Sequence, residues 1–296
     1  MPTMITLNIF SGRPNPCWFL NEAVTSELRD RLYRKPTLVS GAPNNLAGLG
    51  YRGIEVRFGN SVEPLYVYGG IVRTTGGSPS LLDANREIER FLLDSMPKDG
   101  RGLGVILTKK TYHIIREYIE KELAVPIGPI KFIKWDPPPI NGNCPPNVAP
   151  CAPPYEPGLM WNFHPTQPYN NCYNYANDKV TNTFAQPGNY HSAQYSALTC
   201  ASVKPAAIAD GLLSSNNFPT TVADGWYVAL VIWPGVDFHW YRQDKIGCWS
   251  HKPGQTAVIN VDNSNNPIVD PQSANRGGYT QFCSYMLTRP CKVRIR

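Results

Sequence analysis

The stretch WYVALVIW, residues 226–233, constrains the fold more than any other part of this chain. Eight apolar residues in a row are far too few to cross a bilayer, which takes about 20. Bounded by Gly225 and Pro234 and rich in β-branched and aromatic types, they read as a buried strand. Further strand candidates stand at 237–243, 248–252, 256–261 and 280–287. Two helices are expected ahead of them. One begins at NNCYNYANDKV, capped by Asn170 or Asn171, and carries Tyr173, Ala176, Val180 and Phe184 on its apolar face. The other runs through KPAAIADGLLSS, with Pro205 near its first turn. Helix followed by antiparallel meander is an α+β pattern. Residues 170–296 are therefore expected to form one α+β domain.

Residues 1–125 predict a separate, small α+β domain, whose role the residues do not indicate. ITLNIF, GIEVRFG and PLYVYGGIVRT read as strands. A first helix follows Asn21, with Leu20, Val24, Leu28 and Leu32 on one stripe. A second starts near Asp83 and a third spans about 109–123, carrying His113 at its surface or core edge. Between the domains, residues 126–169 hold thirteen prolines. Proline removes a backbone donor and fixes φ, so this stretch is expected to be an extended connector or surface strap.

Composition narrows the function classes. The chain has 296 residues and a net charge of +6, with no basic stripe or RNA-binding motif, which argues against nucleic acid as a partner. No stretch predicts a membrane span. The N-terminus MPTMITLNIF lacks the pattern of a secretory signal, so either a leader has been removed or the chain is cytosolic. Eight cysteines point towards disulfides and an extracellular, oxidising setting; Cys144 and Cys151 flank a proline-rich loop and can bridge if their Cα atoms come close enough.

Two of the five histidines share the stretch DFHWYRQDKIGCWSH. DKIG predicts a turn. Side chains alternate along a strand, and twelve is an even separation, so an odd-length loop puts His239 and His251 on one face. They are then opposite or diagonal, roughly 5–8 Å apart by Cα. One imidazole can act as a general base while the other fixes its tautomer. Cys172, at the predicted start of a helix, is the candidate nucleophile, because free N–H groups there favour a thiolate. Its own N–H supplies half of an oxyanion hole, and Tyr155 or Tyr169 is a candidate second donor. Asp262, ending a strand before Asn-Ser-Asn, is an alternative orienting residue to His251. Asp237 reads as a turn residue. No cofactor is called for.

NNCYNYA followed by DFHWYRQDKIGCWSH resembles the catalytic half of the papain-like cysteine hydrolase superfamily, in its NlpC-type and CHAP-type branches. The resemblance covers roughly 130 residues and implies a helix-plus-antiparallel-sheet domain with Cys172, His239 and His251 as its catalytic set. It implies a thiol hydrolase, a cysteine peptidase or amidase, acting on an amide bond of a peptide, cell-wall peptide or polymer substrate. The chain departs from the usual pattern in having N-C-Y-N-Y at the cysteine and the bulky WYR after the first histidine. The blocks NNCYNYAND, NTFAQPG and WSHKPG are also similar to insoluble matrix shell protein-like chains and to uncharacterised bacterial proteins, which implies cell-wall or matrix association. Two rival readings of the same residues stand beside the hydrolase. One is a zinc-binding structural domain using Cys172, His239, Cys248 and His251. The other is a non-catalytic extracellular matrix or binding protein.

Overall fold

A computed structural model describes residues 2–34, 38–39, 48–59, 61, 63–74, 80–98, 104–105, 107–127, 144–145, 149–215 and 218–296. Of the proline-rich stretch 126–169, residues 128–143 and 146–148 lie outside the described residues. The chain divides into two compact units, and both are α+β. The first comprises Met1–Ile9, Asn15–Leu46 and Tyr51–Trp135; the second comprises Phe10–Pro14, Ala47–Gly50 and Asp136–Arg296.

The first unit holds β1 (Thr3–Leu7), β2 (Cys17–Leu20), α1 (Glu22–Tyr33), β3 (Leu38–Val39), β4 (Ile54–Arg57), β5 (Leu65–Tyr68), β6 (Ile71–Thr74), β7 (Ser80–Leu82), α2 (Glu87–Asp94) and α3 (Lys109–Ala124). Its strands form an antiparallel sheet in the order β2-β1-β4-β5-β6-β7-β3. Alternation along β1 and β4 buries Ile5, Leu7, Ile54 and Val56, and the helices bury Leu28, Ile88, Leu92, Ile115 and Ile119. Asn21 caps α1 by accepting the Val24 N–H at 2.9 Å. Helix α2 begins at Glu87 rather than at Asp83. Asp83 stays outside, and its carboxylate accepts the N–H groups of Glu87, Ile88 and Glu89. The β5–β6 turn is Gly69-Gly70 with φ of 61° and 79°, the left-handed pair that a tight two-residue hairpin requires. His113 is exposed on α3.

In the second unit lie α4 (Thr166–Tyr169), α5 (Cys172–Ala176), α6 (Cys200–Ala209), β8 (Leu213–Ser214), β9 (Trp226–Trp233), β10 (Asp237–Gln243), β11 (Trp249–His251) and β12 (Gln281–Thr288). The antiparallel sheet runs β11-β10-β9-β12-β8. The WYVALVIW strand is its centre, and all eight of its residues are buried. Helix α5 packs on β10 and β11, and α6 packs on β9 and β12.

Several expectations are corrected here. Helix α5 stops at Ala176, because Asp178, Asn182 and Phe184 take left-handed φ values of 51–55°. Val180 and Phe184 therefore lie beyond it. Helix α6 begins at Cys200, after Thr199, which places Pro205 in its interior instead of its first turn. Residues 256–261 form no strand; Ile259 and Val261 make only isolated bridges, to His251 and Pro267. Cys144 pairs with Cys248, not with Cys151, and Cys200 pairs with Cys283. Cys17, Cys151, Cys172 and Cys291 are free thiols. Among the described residues no helix is long and apolar enough to cross a membrane.

Candidate functional site

The β10–β11 hairpin sets the parity of the two histidines. Gln243 pairs with Trp249, Arg242 with Ser250 and Tyr241 with His251, leaving a loop over 244–248. That loop is closed by Asp244 N–H donating to Cys248 O and Gly247 N–H donating to Asp244 O, both at 2.8 Å. Gly247 has φ 94°, a conformation that glycine takes without strain. An odd loop puts His251 opposite Tyr241 and diagonal to His239, all on one face.

The two rings are hydrogen-bonded. His251 Nδ1 lies 2.9 Å from His239 Nε2, and His251 Nε2 lies 3.1 Å from Val261 O. A carbonyl only accepts, so His251 carries a proton on Nε2; when His251 is neutral, its Nδ1 accepts the His239 Nε2–H. With both rings neutral, the basic nitrogen of His239 is then Nδ1. Tyr241 packs against both rings, with centroids 4.8 and 4.9 Å away. Both histidines are fully buried.

Asp262 does not take the orienting place. Its carboxylate accepts the N–H groups of Ser264, Asn266 and Asn275 at 2.9–3.0 Å and shapes a turn. It is the carbonyl of its neighbour Val261 that holds His251. Nor does Tyr155 face this cluster: it packs on Trp161, Tyr175 and Val258.

Cys172 opens α5, as its neighbours dictate. Asn171 Oδ1 accepts the N–H groups of Tyr173 and Asn174, and Asn174 Oδ1 accepts the Asn171 N–H, a reciprocal cap. Its thiol meets the backbone N–H of Trp240, on the strand that carries His239. Burial pushes the thiol well above its ordinary pKa and the charge of Asp237 pushes the same way, against the Trp240 N–H, Lys252 and the Tyr173 N–H. The thiolate expected from a helix start is thus overturned by desolvation, since a five-residue helix offers little dipole. Helix α5 lays Tyr173 against Trp240, and Arg242 sits 4.0 Å over the Tyr175 ring. Those are the strand positions that alternate with His239. At its N-terminal end, Cys172 stands within electrostatic reach of Asp237 and Tyr241, which flank His239 on its own face.

Two features escaped the sequence. Asp237 is not a turn residue but a fully buried strand residue. Its Oδ2 accepts from the Ser11 N–H at 2.6 Å, the Gly12 N–H at 3.1 Å and the Tyr279 hydroxyl at 2.6 Å. Burial raises its pKa, and these donors oppose the rise. The second feature is Phe10–Pro14 itself, more than two hundred positions away, which no local signal could place here. The zinc set is taken apart by the Cys144–Cys248 disulfide, and no cluster of three or more His, Cys, Asp or Glu suited to a metal occurs among the described residues.

No family model and no solved structure matches the chain, so the papain-like resemblance gains no support from either comparison. Insoluble matrix shell protein 1 of Ruditapes philippinarum is 44% identical to it over 130 residues, which is 44% of this chain and 86% of that relative. At that identity and coverage, the chain belongs to the same family as insoluble matrix shell protein 1.

Proposed function

We propose that this protein is a non-catalytic module associated with an extracellular matrix. The observation that carries this reading is the 44% identity with a protein named for an insoluble shell matrix, across most of that protein's length. The physical features fit. Two disulfides brace the second unit, as suits an oxidising compartment. Cys172, the one buried free thiol, is held in its unreactive protonated form. The test is retention of the purified protein on demineralised, insoluble shell matrix. The expected result is retention through a high-salt wash, equal for the native protein and for Cys172→Ala. Elution alongside an unrelated protein of similar charge would sink the reading.

A second reading is favoured by one observation, the 2.9 Å bond between the rings of His239 and His251. Such a pair can serve a thiol hydrolase as its base and orienting group. In that reading Cys172 attacks an amide carbonyl, His239 takes the thiol proton at Nδ1 and returns it to the leaving amine, and His251 holds the ring. Water then releases the acyl group. Assay against peptide and cell-wall peptide amides separates the two: turnover abolished by Cys172→Ala supports the hydrolase, and turnover indifferent to it removes this reading.

A further inference from the structure

The segment Phe10–Pro14 is bound as a peptide would be, through its main chain. Gly12 O accepts from Asn171 Nδ2 at 2.8 Å and from Gln186 Nε2 at 2.7 Å. Asp237 Oδ2 takes the two successive N–H groups of Ser11 and Gly12. The Arg13 guanidinium reaches Val236 O at 2.7 Å. Side chains add selection: a Cβ on Gly12 would lie 2.5–2.7 Å from the Phe238 ring, the Ser11 hydroxyl lies 2.8 Å from the Tyr279 hydroxyl, and Phe10 is fully buried. Phe10 O passes so close to Gly254 that a Cβ there would stand 2.5 Å from it. A two-donor seat for a carbonyl beside a carboxylate for adjacent amides reads backbone, and suits an extended, glycine-containing peptide.

The position of this strap matters as much as its chemistry. One anchor, Asn171, immediately precedes Cys172 and caps its helix. The other, Asp237, stands two residues before His239 on the same face of β10. Ser11 and Gly12 are themselves buried. Asp237 Oδ1, equally buried, has no hydrogen-bond partner among the described residues, so the cradle retains acceptor capacity that the strap does not use.

We propose that Phe10–Pro14 is a resident peptide occupying a backbone-reading cradle, and that its occupancy is what shields the Cys172 thiol from solvent. The strap opens as a unit of its own, without unfolding the sheet. This goes beyond the matrix reading and does not depend on it, because the readout is thiol exposure.

The experiment is iodoacetamide labelling of the full chain, mapped by mass spectrometry, with exposed Cys151 as internal reference. In the native protein Cys172 should react roughly a hundredfold more slowly than Cys151, as a thiol that reacts only through rare opening does. Gly12→Val cannot keep the strap seated against Phe238. It should speed Cys172 labelling at least about tenfold while β9 amides keep their hydrogen-exchange protection. An unchanged rate, or a rise only together with loss of β9 protection, overturns the proposal. Should Gly12→Val fail to fold, the native protein in sub-denaturing urea decides. Cys172 labelling with a shallower urea dependence than β9 exchange supports a separable strap, and equal dependences overturn it.

Discussion

A cysteine at the first position of a helix ordinarily ionises with ease, because unpaired N–H groups stabilise its thiolate. At Cys172 burial reverses the sign. The consequence for stability follows by linkage. An unfolded thiol loses its proton near about 8.5. Above that pH the folded state holds a proton that the unfolded state has lost, so stability falls as pH rises, by up to about 1.4 kcal/mol per pH unit. Cys172→Ala should remove this slope. Urea midpoints measured from neutral to alkaline pH should therefore fall less steeply in the variant, and parallel curves would contradict the assignment. At His251 the stake is hydrogen bonding. His251→Ala leaves the His239 Nε2–H and Val261 O buried without their partner, at a cost of roughly 1–3 kcal/mol for each group. His251→Gln keeps a donor and an acceptor. It should lose markedly less stability in urea titration, and equal losses would mean that the two bonds contribute nothing.

Among the elements, α5 owes its existence to one side chain. Five residues are too few to hold a helix in water by propensity. Asn171 supplies a cap for two N–H groups and donates to Gly12 O and Ala185 O. Asn171→Ala removes all four bonds, and is expected to cost about 2 kcal/mol or more in chemical denaturation, above the usual range for a lost cap. Helix α6 carries the opposite lesson. Pro205 sits exposed in its interior, where it removes an N–H and crowds the preceding turn. Pro205→Ala should stabilise the protein by roughly 1 kcal/mol, less than the full helix penalty because proline also restrains the unfolded chain. A lower melting temperature in Pro205→Ala would show that the turn needs the ring.

For the whole molecule, both disulfides close long loops, of 104 and 83 residues by separation, and both lie in the second unit. Chain entropy assigns each about 4.5–5 kcal/mol, an upper figure for bridges in a native protein. Reductant should therefore loosen β8–β12 while leaving β1–β7 unchanged, as read by hydrogen exchange with and without reduction. Equal loss of protection in both sheets would show that the two units unfold together.

The parts of this fold legible in the residues are those governed by near neighbours. The run WYVALVIW declares a buried strand because it is too short for a buried helix, is flanked by Gly225 and Pro234, and is rich in β-branched and aromatic residues. The even spacing of His239 and His251 declares a shared face, given an odd loop, because strand side chains alternate whatever the rest of the chain does. Asn21 and Asn171 announce helix starts by the bonds they can make two or three residues on. What the residues concealed is long-range. Cys144 found Cys248 and not the nearer Cys151, α6 starts at the cysteine bound to Cys283, and Ser11 and Gly12 meet Asp237 from 226 and 225 positions away. Local geometry follows from dihedral and hydrogen-bond preferences carried by each residue. Which distant groups meet depends on the path of the whole chain, and burial at the meeting point then decided that Cys172 is a shielded thiol.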